Sequence, residues 1–345
     1  MARPAAFYAE RGPPARRVSA VKTLALAWIR SMVSVEPVSR APEASLELAR
    51  RAIRSRTPPG HAALEPVTAL EDDLANGRAL GVLRLEGDRP VGIAVWEVPS
   101  ALGITLEIVF LDEGVSSPSA YREFLGEIAG VAGPIVFAPG GLAGLTGAEE
   151  SSVMRGLGFA PFARFEMRLP GAVPLPDVPQ GGPPPSRTAR STDLAALTEL
   201  HARAYDDRFD RYLFLADPDP KRDAELAVRG ILEGRWGEFL PWASAVIEEG
   251  DRLIAASLVV RASYGPLIAD VMVDPATQGR GAGRAVLSAS VRALRERGES
   301  VIVLNVTEGN ERAVRLYEGL GFVRTLESSY AWYSTERIPF GPGAR

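Results

Sequence analysis

Cysteine is missing from all 345 residues, which removes disulfides, thiolate metal sites and a covalent acyl-cysteine intermediate. Histidine is nearly missing. His61 and His201 are the only two, too few for a multi-histidine centre, so no metal is expected. Positive charge is not in excess: the formal net charge is −4, which gives no electrostatic reason to expect a nucleic-acid or membrane partner. No apolar run reaches the roughly 18 residues of a membrane span, and the chain is read as cytoplasmic. The first 31 residues contain one acid, Glu10. Their Arg16-Arg17 pair is followed by a short apolar stretch that carries Lys22 and lacks a small-residue cleavage site. Residues 1–31 are therefore read as a flexible extension rather than an export signal. What remains is 46% hydrophobic and 24% charged, a soluble globular composition at a length that suggests two domains.

The boundary between them is written in proline. Residues 171–187, GAVPLPDVPQGGPPPSR, favour extended backbone and lack several amide donors, as expected of a semi-stiff linker. The flanking segments, 32–170 and 188–338, share features in register. Gly87-Asp88-Arg89 recurs as Gly250-Asp251-Arg252, Glu107 falls opposite Asp270, and Gly156-Leu157-Gly158-Phe159 recurs as Gly319-Leu320-Gly321-Phe322, all at an offset of 163 residues. A repeat of that size implies two complete copies of one domain.

The second copy reads as α–α–β–β–β–α–β–α–β, an α/β fold with a mixed sheet and helices on both faces. Thr192-Asp193 is positioned to cap a first helix carrying His201 on its apolar face, and a second helix is expected near 220–233. Strands follow at 242–249, 252–262 and 267–273. The loop Gln278-Gly279-Arg280-Gly281-Ala282-Gly283 then opens a helix to about Arg297, stopped by Gly298. A strand at 301–306, a short helix capped by Asn310 and a last strand from Phe322 complete the copy. Alternating glycines between a strand and a helix allow close backbone approach, and the unpaired amides of the helix start suit a diphosphate, with Arg280 and Arg284 adding charge.

Gln278 through Gly283, the strand ending Val273-Asp274-Pro275, and Asn310 through Tyr317 followed by Gly319-Leu320-Gly321-Phe322 together resemble the GNAT superfamily of N-acetyltransferases. The strong match covers about 70 residues and the topology about 150. The resemblance implies two tandem GNAT-like domains with acetyl-coenzyme A as cosubstrate. Gly279, Arg280, Gly281, Ala282, Gly283 and Arg284 would hold the pyrophosphate beside Gln278. The backbone of Val271, Met272 and Val273 would pair with the pantetheine arm as an added strand, one amide polarising the thioester carbonyl. Asn310 and Ala313 would line the pantetheine side, and Tyr317 would protonate the leaving thiolate. Asp270, on the strand that carries the acetyl group, is a candidate general base, with Glu308 as a weaker alternative. His201 is read as a packed core residue.

The first copy lacks this site. Val115 through Ala120 stand where the glycine loop should be, Pro118 removes an amide, Gly147 stands opposite Asn310 and Met154 opposite Tyr317. It is expected to be a degenerate, inactive domain. The acceptor, a small-molecule or peptide amine, is expected at the loop Tyr205 through Tyr212, with Trp236, Phe239, Trp242 and Tyr264 nearby. Two other readings stay open: a non-catalytic acyl-coenzyme A sensor, and an aminoacyl-transferase using charged tRNA on a paired GNAT frame.

Overall fold

The computed structural model describes residues 35–38, 42–56, 80–96, 100, 102–171, 183–206, 208–213, 219–338 and 341–342. The extension, most of the proline-rich segment and Asp207 lie outside them. The chain divides into two compact units, Met1–Pro99 with Gly103–Phe159, and Ser100–Leu102 with Ala160–Arg345.

Unit 1 contains β1 (Val35–Pro37), α1 (Pro42–Arg56), β2 (Leu80–Glu86), β3 (Arg89–Trp96), β4 (Ile104–Leu111), α2 (Pro118–Ala132), β5 (Ile135–Pro139) and α3 (Gly147–Gly156). Its strands lie in the order β1-β2-β3-β4-β5, antiparallel except for the β4–β5 pair. Alternate residues of β3 and β4, among them Ile93, Val95, Ile108 and Phe110, pack against Leu48, Ala49 and Ala52 of α1.

Unit 2 contains β6 (Phe159–Pro170), which starts one residue before it, β7 (Arg187–Thr188), α4 (Leu194–Ala204), α5 (Phe209–Tyr212), α6 (Pro220–Leu232), β8 (Glu238–Phe239), β9 (Ala245–Glu249), β10 (Arg252–Ala262), β11 (Gly265–Val273), α7 (Ala282–Glu296), β12 (Val301–Thr307), α8 (Glu311–Glu318) and β13 (Val323–Ser334). The strand order is β13-β6-β12-β11-β10-β9-β7, with β8 paired to β10. Only β11 and β12 run parallel among the registered pairs. One face of the sheet packs on α7 and α8 through Leu287, Val291, Leu294 and Tyr317. The other packs on α4 and α6 through Leu197, Leu200, Val228 and Ile231.

The duplication is visible at the level of turns. Gly87 and Gly250 both take φ near +60°, each opening a two-residue hairpin closed by Glu86–Arg89 and by Glu249–Arg252. Gly158 and Gly321 are left-handed at the same place after α3 and α8. The boundary differs from the expectation. Residues 160–170 were assigned to the first copy by sequence, but β6 pairs with β12 along its length, from Val301–Pro170 to Thr307–Arg164. Its inward side chains Phe165, Met167 and Leu169 belong to the core of unit 2.

Two local expectations are also corrected. Asp193 does not cap α4; its carboxylate is taken by both Arg187 amino groups at 2.8 and 3.0 Å and by the Arg190 amide at 2.8 Å. In unit 1 the residue capping α3 is Thr146, in a capping box with Glu149, one residue before the expected Gly147. At the other end of the helix the Leu157 amide bonds the Met154 carbonyl as the Leu320 amide bonds that of Tyr317, and the fully buried Met154 carries no hydroxyl.

Asp274, 2% exposed at the end of β11, holds this end of unit 2 together. It accepts hydrogen bonds from Arg203 Nε at 2.7 Å, from Arg252, and from the Ala276 amide at 3.0 Å. Asp274→Ala strands two guanidinium groups and is expected to lower stability by about 1.5–3 kcal/mol, measurable as a shift in the urea midpoint.

Candidate active site

The site begins where two strands part. β11 pairs with β12 only at Leu267–Val303 and Ile268–Leu304. On its other edge the register to β10 shifts between Leu258–Asp270 and Val259–Ile268, leaving Ala269 as an extra residue. Such a bulge bends the strand and re-aims its side chains. Beyond it β11 leaves β12, and a cavity of about 400 Å³ lies at the opening, bounded by β11, β12, the glycine loop, α8 and α5.

The loop is built as its glycines require. Gly279 and Gly281 both have φ of +84°, a region that costs side-chain-bearing residues about 1–2 kcal/mol. Gly281 is the N-cap of α7, so the amides of the first helical turn have no partner within the helix. Gly283 is glycine for a different reason: a Cβ there would meet Val273 Cγ2 at 3.0 Å and Leu316 Cδ2 at 3.4 Å. Gln278 ties the loop down by donating through Nε2 to the Val273 carbonyl at 3.3 Å and accepting from Arg312 through Oε1.

Of the residues assigned to the cosubstrate or to catalysis, all line this cavity except Met272, Arg280 and Glu308; of the acceptor candidates, Tyr205, Arg208 and Asp210 line it and Trp236, Phe239, Trp242 and Tyr264 do not. Met272 points to the opposite face of the strand, into the core beneath α4 and α6. The Arg280 side chain lies on the surface, 4.0 Å from Glu249. Glu308 is exposed and does not line the cavity. Asn310 caps α8, its Oδ1 accepting from the Ala313 amide at 3.2 Å. Its Nδ2 donates to Asp210 Oδ2 at 3.3 Å, and Thr307 donates to the other oxygen of Asp210. The α5 loop is thereby fastened to the end of β12.

Asp270 is 8% exposed and carries the strongest electrostatic perturbation of a cavity-lining carboxylate. Burial pushes its pKa up to about 7, opposed by hydrogen bonds from the Tyr205 hydroxyl and the Val271 amide, and reinforced by Asp210. Tyr205 Oη donates to Asp270 Oδ1 at 2.7 Å. His201 stacks on the Tyr205 ring with centroids 4.4 Å apart, its Nε2 4.0 Å from Asp270 Oδ2. Burial, with Arg211 adding to it, pulls the His201 pKa down to about 4, so the imidazole is neutral at neutral pH and makes no ion pair with Asp270. Tyr317 faces the cavity from α8, packed on Phe322 with centroids 6.1 Å apart. Its burial, and then Asp270 and Asp210, raise its pKa above the ordinary phenol value, against a smaller opposing effect of Arg164.

Sequence reading named Tyr205 and Asp210 only as part of an acceptor loop and passed over Arg164. Yet Arg164 lines the cavity from β6, opposite Thr307, and Tyr205 orients Asp270. A signal for Tyr205 existed, since it lies one helical turn beyond His201. None existed for Arg164, which stands on the far side of the proline-rich segment.

Unit 1 presents a different picture at the matching place. Ser117 caps α2 by accepting from the Ala120 amide at 3.1 Å, and Pro118 follows it. The buried Tyr121 hydroxyl accepts from the Leu111 amide at 3.2 Å and donates to the Ala143 carbonyl at 3.1 Å, bridging the end of β4 to the loop after β5. Glu150 accepts from the amides of Gly141 and Leu142 at 3.1 Å. At the start of α2, Pro118 offers no amide and that of Ala120 is taken by the Ser117 hydroxyl, whereas the helix start of α7 has no side-chain cap.

The model of the Acetyltransferase (GNAT) family matches residues 195–322. A mycothiol acetyltransferase of Thermobispora bispora is 32% identical over 179 residues, 49% of this chain and 56% of that protein, so the match spans little more than half of its length. A mycothiol acetyltransferase of Geodermatophilus obscurus is 30% identical over 270 residues, 72% of this chain and 77% of that protein. In fold, the chain is similar to a GCN5-related N-acetyltransferase from Sphaerobacter thermophilus, with a TM-score of 0.57 at 16% identity over 87% of this chain and 96% of that one.

Proposed function

The chain belongs to the GNAT acetyltransferase family, and on that premise we propose that unit 2 moves an acetyl group from acetyl-coenzyme A to a primary amine by direct attack. The observation that carries this reading is the parting of β11 and β12 beside a glycine-built helix start, with Asp270 on one wall and Tyr317 on another.

The residues fit the cosubstrate. The first-turn amides of α7 and the close approach permitted by Gly279 and Gly281 suit a pyrophosphate. The free edge of β11 suits the amide groups of a pantetheine arm. The bound thioester supplies the acetyl group. Asp270, held by Tyr205, takes a proton from the incoming ammonium so that nitrogen can attack. The nitrogen forms its bond to the acetyl carbon as the carbon–sulfur bond breaks, and the second proton it sheds to become a neutral amide passes to solvent. Tyr317, kept protonated by its surroundings, gives its proton to the departing sulfur and is reprotonated from solvent.

The direct test is release of free coenzyme A thiol from acetyl-coenzyme A with a panel of primary amines, polyamines, amino-sugar thiols and peptide N-termini. Turnover supports the reading; tight cosubstrate binding with no turnover on any of them points to a sensor. Isothermal titration of the full chain is expected to give one acetyl-coenzyme A per chain, because Pro118 and the Ser117 cap take first-turn amides of α2 out of use. A stoichiometry of two overturns the assignment of unit 1 as inactive. Gly283→Val is expected to raise KM for acetyl-coenzyme A by about 10-fold or more, through overpacking against Val273 and Leu316, with a smaller change in kcat.

A further inference from the structure

A second, smaller cavity of about 130 Å³ lies on the α4–α6 side of β11. It shares six lining residues with the larger one: Arg164, Tyr205, Ile268, Ala269, Asp270 and Asn305. Asp270 therefore stands in the wall between the two, accessible from both. The rest of the smaller cavity is mostly apolar, with Ala227 and Ile231 of α6, Trp236 and Leu267, and the neutral imidazole of His201. Among its lining residues Asp270 is the one acid and Arg164 the one permanently charged cation.

We propose that this cavity receives the acceptor and that the acceptor is a compact α-amino carboxylate with a small apolar side chain. Its ammonium meets Asp270, its carboxylate meets Arg164, and its side chain lies among Ala227, Ile231 and Trp236. The inference rests on the acetyl-transfer reading and adds the substrate class to it.

Three features argue for this class. First, the base must touch the amine, and a molecule entering from the α4–α6 side reaches Asp270 without crossing the space assigned to the thioester. Second, a guanidinium lining the same small cavity is a partner that a bare cationic amine or a polyamine cannot use. It attracts an amine that carries its own negative charge a few bonds away, most strongly where water is scarce. Arg164 has this setting: burial pulls its pKa below the ordinary arginine value, although Asp210, Tyr205 and Tyr317 around it oppose that. Third, size and polarity set the side chain. A space of about 130 Å³ corresponds to a few waters at about 30 Å³ each in the liquid. It takes a handful of heavy atoms and offers an apolar wall few partners for sugar hydroxyls.

The test compares matched acceptors on the wild-type full chain: valine, leucine and methionine, their amides and methyl esters, the corresponding amines without a carboxyl group, and an amino-sugar thiol. The free amino acids are expected to have kcat/KM about 10–100-fold above their amides and esters, the worth of a charge-assisted hydrogen bond. Equal or better rates with the amides, the simple amines or the amino-sugar thiol overturn the proposal while leaving acetyl transfer itself established. No turnover with any amine, with acetyl-coenzyme A binding intact, instead removes the reading on which the proposal rests. Two variants probe the contacts separately. Arg164→Met is expected to bring the acid-to-amide ratio of kcat/KM toward one. Ala227→Leu, which fills the apolar end, is expected to shift preference from leucine toward alanine and glycine. An unchanged side-chain preference in a folded Ala227→Leu protein excludes the cavity as the side-chain pocket.

Discussion

Asp270→Asn is expected to lower kcat by about 10²–10⁴-fold, the usual contribution of a general base, and to abolish the ascending limb of the kcat/KM–pH profile. In the wild-type protein that limb should have its midpoint near pH 7, because burial pushes the carboxyl up to about 7 and only the ionised form accepts a proton. The opposite linkage governs folding. A carboxyl whose pKa is raised in the folded state holds its proton more tightly there than in the unfolded chain. Its effect on stability is therefore lost progressively as pH rises from the unfolded value near 4 toward 7, while activity rises. Asp270→Asn removes this term, so its stability should fall less than wild type over the same interval. A variant that keeps wild-type turnover and its pH limb removes Asp270 from the mechanism. Tyr205→Phe offers a graded companion. It takes away the hydroxyl that holds Oδ1 at 2.7 Å and opposes the burial effect, so the midpoint should move upward.

Tyr317→Phe is expected to reduce kcat by about 10²–10⁴-fold with little change in KM for acetyl-coenzyme A. The ring stays packed against Phe322 and only the hydroxyl is lost, so the change reports on proton donation rather than on the α8 interface. Because the phenol is held above its ordinary pKa, the wild-type profile should show no descending limb from this group below about pH 10. Near-normal kcat would leave Tyr317 a packing residue, and the thiolate would then depart without a donor from α8. The two substitutions touch opposite walls of one cavity, and their combined loss should be smaller than the product of the single losses, as for residues that act in one step.

The parts of this site that sequence makes legible are those whose reason is local. Gly279 and Gly281 sit where a left-handed backbone is required, and Asn310 caps the helix that follows it. Gly298 has φ of +85° where the helix was expected to stop. The repeated Gly-Asp-Arg turns are hairpins in both units because a two-residue connection asks for the same backbone each time. What escaped reading depends on which of several partners a side chain takes. Asp193 looks like a helix cap until Arg187 and Arg190 claim its carboxylate. Thr146 is a different case: its capping box with Glu149 was legible three residues apart, but a fixed 163-residue offset placed the cap at Gly147. The environment of Asp270 needed the fold, since Tyr205 lies 65 residues away and Asp210 approaches only through α5.

β6 precedes the proline-rich segment and yet forms a rung-by-rung partner of β12. The stretch that looks like a seam in the sequence is therefore not a place to cut. A polypeptide started at residue 188 would present β12 as an open edge, lack Phe165, Met167 and Leu169 from its interior, and lose the arginine opposite Thr307. Such a fragment should be prone to self-association through that edge. For the same reason, insertions or deletions among residues 172–182 change the tether between a catalytic sheet and one of its own strands.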